Sequence, residues 1–207
     1  MNTHLNGKVE INKIINFSMT VDTKGNVYLF GGLNPDLSMN WKLIRFTLKS
    51  KSWEVLSDSM LEGRYFHSLN ISGQYLFVYG GKNNQIVFSD FVVFDLRTRL
   101  WSQIVAKTSP GSRYGHTGFI YKKCLYLVSG RSRNEIFNDI WKFDIKRMNW
   151  MLCKPAKIEL MSPLYHCSSI LFGDYAFILF GLKSEKVSRF TIKQVLDSFM
   201  RVSRQNK

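Results

Sequence analysis

Residues 64–101, RYFHSLNISGQYLFVYGGKNNQIVFSDFVVFDLRTRLW, come back 49 positions later in the chain. His67 recurs as His116, Phe77 as Tyr126, Gly81 as Gly130, Phe94 as Phe143, Asp95 as Asp144 and Trp101 as Trp150. So many matches at one offset mark a structural unit rather than an isolated motif. A weaker copy precedes it, in which Gly31-Gly32 matches Gly80-Gly81, Phe46 matches Phe94 and Trp53 matches Trp101. There, Ile15 and Ser18 take the places of Arg64 and His67. A fourth copy opens at Tyr165-His166 and keeps YAFILFG and VSRFTI, but has Asp197 where the tryptophan is due.

Within each unit the apolar runs are short, rich in β-branched and aromatic residues, and separated by turn residues such as Asp22-Thr23-Lys24-Gly25 and Lys49-Ser50-Lys51-Ser52. Nothing between them has helical period, so each unit predicts four antiparallel strands. The runs YLFVYGG and CLYLVSG are apolar on both faces, which suits strands of a sheet sandwiched between neighbouring sheets. Glycine at a strand end permits positive φ or a close backbone approach, and the Phe and Trp supply large buried surfaces.

A glycine pair after an apolar strand, an aromatic-Asp, and a Trp seven residues after the aromatic resemble the kelch repeat, in which each repeat forms one blade of a β-propeller. Gly31, Gly32, Phe46 and Trp53 carry the match in the first repeat. Gly80, Gly81, Phe94, Asp95 and Trp101 carry it in the second, and Gly130, Phe143, Asp144 and Trp150 in the third. Departures are Ser129 and Phe180 for the first glycine, Thr47 and Thr191 for the Asp, and the missing fourth Trp. The resemblance implies an all-β, kelch-type propeller over residues 14–192, with about four blades at 14–56, 62–105, 111–154 and 162–192. Kelch propellers usually have more blades, which leaves a tight four-bladed ring, an open arc completed by another chain, or part of a larger propeller; an arc or part is favoured. The N-terminal segment 1–13 contains Lys8-Val9-Glu10-Ile11, a candidate closing strand for the last blade. Residues 193–207 form a basic tail, and the end of the chain from Thr191, TIKQVLDSFMRVSRQNK, is spaced for a short amphipathic helix.

The chain has 29 Lys and Arg against 15 Asp and Glu, a net charge of +14. That balance favours acidic partners in general, but the basic residues are scattered, as on a solvated surface. Three unpaired cysteines, Cys124, Cys153 and Cys167, argue against a secreted disulfide scaffold. With no apolar leader or spanning run in this sequence, the expected compartment is the cytoplasm, or the nucleus.

His67, His116 and His166 stand at one place in successive repeats, where three imidazoles could hold Zn or Cu. Repetition of one local packing role is the plainer reading, since no carboxylate or cysteine accompanies them. The kelch fold also hosts copper oxidases and epimerases, but no phosphate loop, GxSxG, HExxH or paired carboxylate is present. No enzyme activity and no cofactor are expected.

The resemblance implies instead a protein-interaction scaffold. The loops joining strand 2 to strand 3, residues 33–40, 82–89 and 131–138, share a face with the loops joining blades. On that face the expected partner-binding residues are Arg64, Tyr65, Lys82, Asn83, Asn84, Arg113, Tyr114, Arg131, Arg133 and Asn134, facing an acidic or phosphate-bearing segment of another protein. A structural ion-pair role for Arg64 and Arg113 is the competing reading. Nucleic-acid or anionic-surface binding driven by net charge is the alternative function, and self-association follows if the propeller is incomplete.

Overall fold

The computed structural model describes residues 13–58, 61–153, 165–179 and 188–191. They form four antiparallel sheets, each in simple sequence order. The first holds β1 (Ser18–Val21), β2 (Asn26–Phe30), β3 (Leu43–Thr47) and β4 (Ser52–Ser57); the second holds β5 (Ser68–Ser72), β6 (Tyr75–Tyr79), β7 (Phe91–Asp95) and β8 (Leu100–Gln103). The third holds β9 (Thr117–Tyr121), β10 (Cys124–Val128), β11 (Ile140–Asp144) and β12 (Asn149–Cys153). In the fourth, β13 (Ser168–Phe172), β14 (Tyr175–Leu179) and β15 (Ser188–Thr191) are the strands among the described residues. The expected closing strand at 8–11 and the expected tail helix at 193–207 lie outside them.

Local chemistry explains the strand ends. In the third strand of blades 2 and 3 the final aspartate turns the chain: Asp95 Oδ1 accepts from Arg97 N at 2.8 Å, and Asp144 Oδ1 from Lys146 N and Arg147 N at 3.0 Å. Such Asx turns satisfy backbone donors that the ladder cannot reach. The Arg147 contacts hold the Asp144 carboxyl below the usual carboxylate range.

The first hairpin carries one more residue in its turn, because Val21 pairs with Val27 whereas Ile71 pairs with Leu76. The opening of the first repeat therefore sits one residue earlier than the sequence spacing predicts. Ile15 bridges Leu33 as Tyr65 bridges Lys82, so Ile14 and Phe17, not Ile15 and Ser18, occupy the places of Arg64 and His67.

Each blade has a front face toward the preceding blade and a rear face toward the next, and the core lies in three layers between blades. Tyr28, Phe30 and Leu43 on the rear of blade 1 meet Leu69, Leu76, Val78, Phe94 and Trp101 of blade 2. Phe77, Tyr79 and Phe91 meet Leu125, Leu127, Phe143 and Trp150 in the second layer. Phe119, Tyr126, Val128 and Cys153 meet Cys167, Ala176 and Ile178 in the third. The tryptophans are wedges of a repeated design. Trp101 lies 4.9 Å from Phe94 in its own blade and 5.4 Å from Phe30 in the previous one, and Trp150 lies 5.0 Å from Phe143 and 5.4 Å from Tyr79. Trp53 packs on Phe46 at 4.5 Å but is 39% exposed, since among the described residues no blade precedes its own.

Around the axis the blades are stitched by main chain. Phe66 N donates to Asn16 O, Gly115 N to Phe66 O and His166 N to Gly115 O, at 3.3, 2.8 and 2.7 Å. All four residues have left-handed φ, from 57° to 64°. Among the described residues no bond runs from Asn16 N to His166 O, so this main-chain run does not complete a circle.

Candidate functional site

Arg64 and Arg113 introduce the inner strands of blades 2 and 3, and both are enclosed, at 1% and 0% exposure. Arg64 donates through Nη1 and Nη2 to the two oxygens of Asp90 at 2.6 and 2.8 Å, and through Nη1 to the Gly80 carbonyl at 3.1 Å. Its guanidinium lies 4.0 Å over the Phe88 ring. Arg113 repeats this on Asp139 at 2.7 and 2.9 Å, on Ser129 O at 2.9 Å and over Phe137 at 4.2 Å. Such forked pairs fix geometry as well as charge.

The backbone carbonyls of the same arginines accept from Gly32 N and Gly81 N of the preceding blade, both at 2.8 Å. The chains approach so closely here that a Cβ on Gly80, at φ +57°, would stand 2.5 Å from Arg113 O. Arg64 and Arg113 are thus struts inside the blades, which corrects the expectation that they face a partner. The signal for this was present in the sequence: each arginine precedes its aspartate by 26 residues. The first repeat has Ile14 and Lys42 in those two places, so neither member of the pair is present there.

One residue on, the side chains are half-buried and reach the surface. Tyr65 bridges Lys82, and Tyr114 bridges Arg131, through paired backbone bonds of 2.9 to 3.0 Å that fix each tyrosine beside the cation following the glycine pair. Lys82 Nζ lies 5.2 Å from the Tyr65 ring centre and 4.9 Å from that of Tyr114. The Arg131 guanidinium lies 5.7 Å from Tyr114 and 4.9 Å from Tyr165. Aromatic and cation alternate from blade 2 to blade 4, Tyr65, Lys82, Tyr114, Arg131, Tyr165, each cation held between rings of adjacent blades. Among the described residues neither Lys82 nor Arg131 forms an ion pair. A cation over aromatic faces keeps its charge available to an incoming anion while its stem is held in place.

The other expected contacts fall at the rim. Asn83 shapes its own loop, accepting from Gln85 N and Ile86 N at 2.8 Å and donating to Glu62 at 2.6 Å. Asn84 and Asn134 are exposed, and exposed Arg133 reaches across to the Gln85 carbonyl. Absent from the expected partner-binding residues are Phe66, Tyr165 and His166; His166, grouped in the sequence with His67 and His116, stands one position earlier, at the place of Phe66 and Gly115, and Cys167 takes the place of those two histidines. Phe66 packs edge-on to His166 at 4.0 Å, and His166 lies 5.0 Å from the Tyr165 ring. Their place at the repeat opening was the available signal.

Beneath this row a cavity of about 490 Å³ follows the axis, lined by all four inner-strand openings, among them Asn16, Phe66, Gly115 and His166. His116 donates to or accepts from Ser68 Oγ through Nε2 at 3.0 Å. Burial, then the Arg113 charge, lowers its pKa to about 3. Burial, then Arg64 and His116, likewise holds His67 neutral, well below the ordinary imidazole range. His166 is lowered by burial and by Lys82 and Arg131. Among the described residues no group of three or more His, Cys, Asp or Glu is placed to hold a metal ion. The free thiols of Cys153 and Cys167 are pushed up by burial to about 12 and about 11, the reverse of a reactive thiol.

Among the described residues no helix is long and apolar enough to cross a membrane. No curated protein sequence matches the chain. Residues 13–196 match the KLHDC2/KLHL20/DRC7 Kelch-repeats domain, a match that spans all four repeats. With its blades, glycine pairs and wedge tryptophans accounted for, this chain belongs to the kelch-repeat family.

Proposed function

We propose that the protein is a non-enzymatic kelch scaffold that binds another protein by an acidic or phosphate-bearing segment laid across the row Tyr65, Lys82, Tyr114, Arg131 and Tyr165. The family match supports a protein-interaction scaffold in general. The observation that carries the finer reading is the pair of cations, each seated between tyrosines of neighbouring blades with no acidic partner among the described residues. Rings and main chain pre-position both cations, so little side-chain entropy is lost on binding. The enclosed Arg64 and Arg113 keep the row in register, while Asn83, Asn84, Arg133 and Asn134 form its rim. Three free thiols agree with a cytoplasmic setting.

The test titrates the full chain against a labelled glutamate-rich peptide, the same peptide carrying phosphoserine, and a single-stranded oligonucleotide of matched charge. Lys82→Ala with Arg131→Ala should weaken peptide binding by about tenfold or more, the scale of losing two charged contacts. Binding of the oligonucleotide in preference to either peptide, sequence-indifferent and steeply lost with salt, would replace this reading by the nucleic-acid alternative that the +14 charge favours.

A further inference from the structure

The three filled layers each join the rear of one blade to the front of the next, and among the described residues one face of either kind is left unmatched. On blade 1, Met19 and Val21 are 63% and 54% exposed. By strand register their counterparts on blade 2 are Leu69 and Ile71, both packed in the layer against blade 1. On blade 4, Ile170 and Phe172 are 55% and 75% exposed, whereas their counterparts Phe119 and Tyr121 on blade 3 pack against blade 4. The axial main-chain run ends with the same polarity. Among the described residues the Asn16 N–H has no acceptor at one end and the His166 carbonyl no donor at the other.

We propose that the front face of blade 1 docks on the rear face of blade 4 of a second copy, and that two copies joined head to tail in this way close an eight-bladed ring. A second copy is the occupant that supplies both missing halves at once. Its blade 4 offers an apolar inner strand with a carbonyl that has no donor among the described residues, and its blade 1 offers the matching apolar strand with an N–H that has no acceptor among them. The contact is continuous with the inter-blade layers and repeats their plan. A head-to-tail contact that fails to close would build fibres, whereas two copies related by a twofold leave no end free. Eight blades is within the range of propellers. This surface is separate from the tyrosine–cation row and would leave it exposed.

Charge gives the assembly a signature opposite to that of anion binding. Each copy carries +14, so screening relieves repulsion between copies and should raise the dimer fraction, while it weakens any acidic ligand. Light scattering on the full chain should give twice the 24.2 kDa of one copy, more completely at higher salt. Met19→Lys or Ile170→Lys alone should leave a folded monomer by circular dichroism, because both side chains are exposed in the single chain. Mixing the two variants should restore a two-chain species through the one contact that remains intact. Val21→Lys and Phe172→Lys repeat the test should either first variant misfold. A wild-type monomer at every concentration, a ladder of larger species, or a dimer indifferent to all four substitutions would overturn the proposal.

Discussion

Trp150 and Trp53 hold the same repeat position, yet the first is 3% exposed and the second 39%. Both pack, with tilted rings, on the aromatic residue seven positions before them, at 5.0 and 4.5 Å. The difference is the neighbour: Trp150 also meets Tyr79 and Phe91 of blade 2, at 5.4 and 5.2 Å. A kelch tryptophan therefore gains its burial from the blade before it, and the first blade displays what the inner layers hide.

This comparison can be tested first by truncation. Trp150→Ala should cost about 4 kcal/mol, as for a large aromatic removed from a filled core, and Trp53→Ala about 1 kcal/mol in the single chain. Denaturant unfolding reads both, and equal costs would mean that the position and not the neighbour sets the energy. The second contrast is the buried arginine pair, present in blade 2 and replaced in blade 1. Asp90→Asn strands the enclosed Arg64 charge and should cost about 3 kcal/mol, while Lys42→Asn at the matching exposed place should change stability by less than about 0.5 kcal/mol.

Acid provides a third. His116 has its pKa lowered to about 3 by burial, so the unfolded chain binds a proton that the folded chain refuses. Its contribution is complete above the unfolded value near 6.5 and is lost as pH falls from there toward 3, reaching about 2 kcal/mol at pH 5. Blade 1, with Phe17 in that place, adds nothing to this slope. Unfolding curves at pH 7 and pH 5 should show a smaller loss in His116→Asn than in the parent, and an unchanged loss would count against the assignment. The smallest effect is a gain. Ser129 stands where blade 2 has Gly80, fully buried, at φ 59° with its hydroxyl unbonded among the described residues. Ser129→Gly should stabilise by about 1 kcal/mol, read as a higher midpoint.

The repeat made the blades legible, because glycine pair, aromatic-Asp and Trp keep one spacing three times. The one-residue slip in the first opening was not legible, since the extra residue hides in the Asp22 to Asn26 turn and leaves the apolar pattern intact. Tyr65, Lys82, Tyr114 and Arg131 were readable as equivalent polar positions on one face. Their interleaving was not, because it joins residues of different blades. Arg64 and Arg113 misled for a physical reason: a strand-opening arginine reads as surface unless its distant aspartate is paired with it.

Arg113 also has a bearing on how the protein comes apart. Its carbonyl accepts from Gly81 in blade 2, while its guanidinium clasps Asp139 and Ser129 in blade 3. One residue thus belongs to two units, and neither can open without releasing a bond held by the other. In a linear array of repeats such sharing is a nearest-neighbour coupling. Blades 2 and 3 should accordingly exchange their amide hydrogens as one cooperative block, with the Gly81 amide reporting the opening of a blade to which it does not belong.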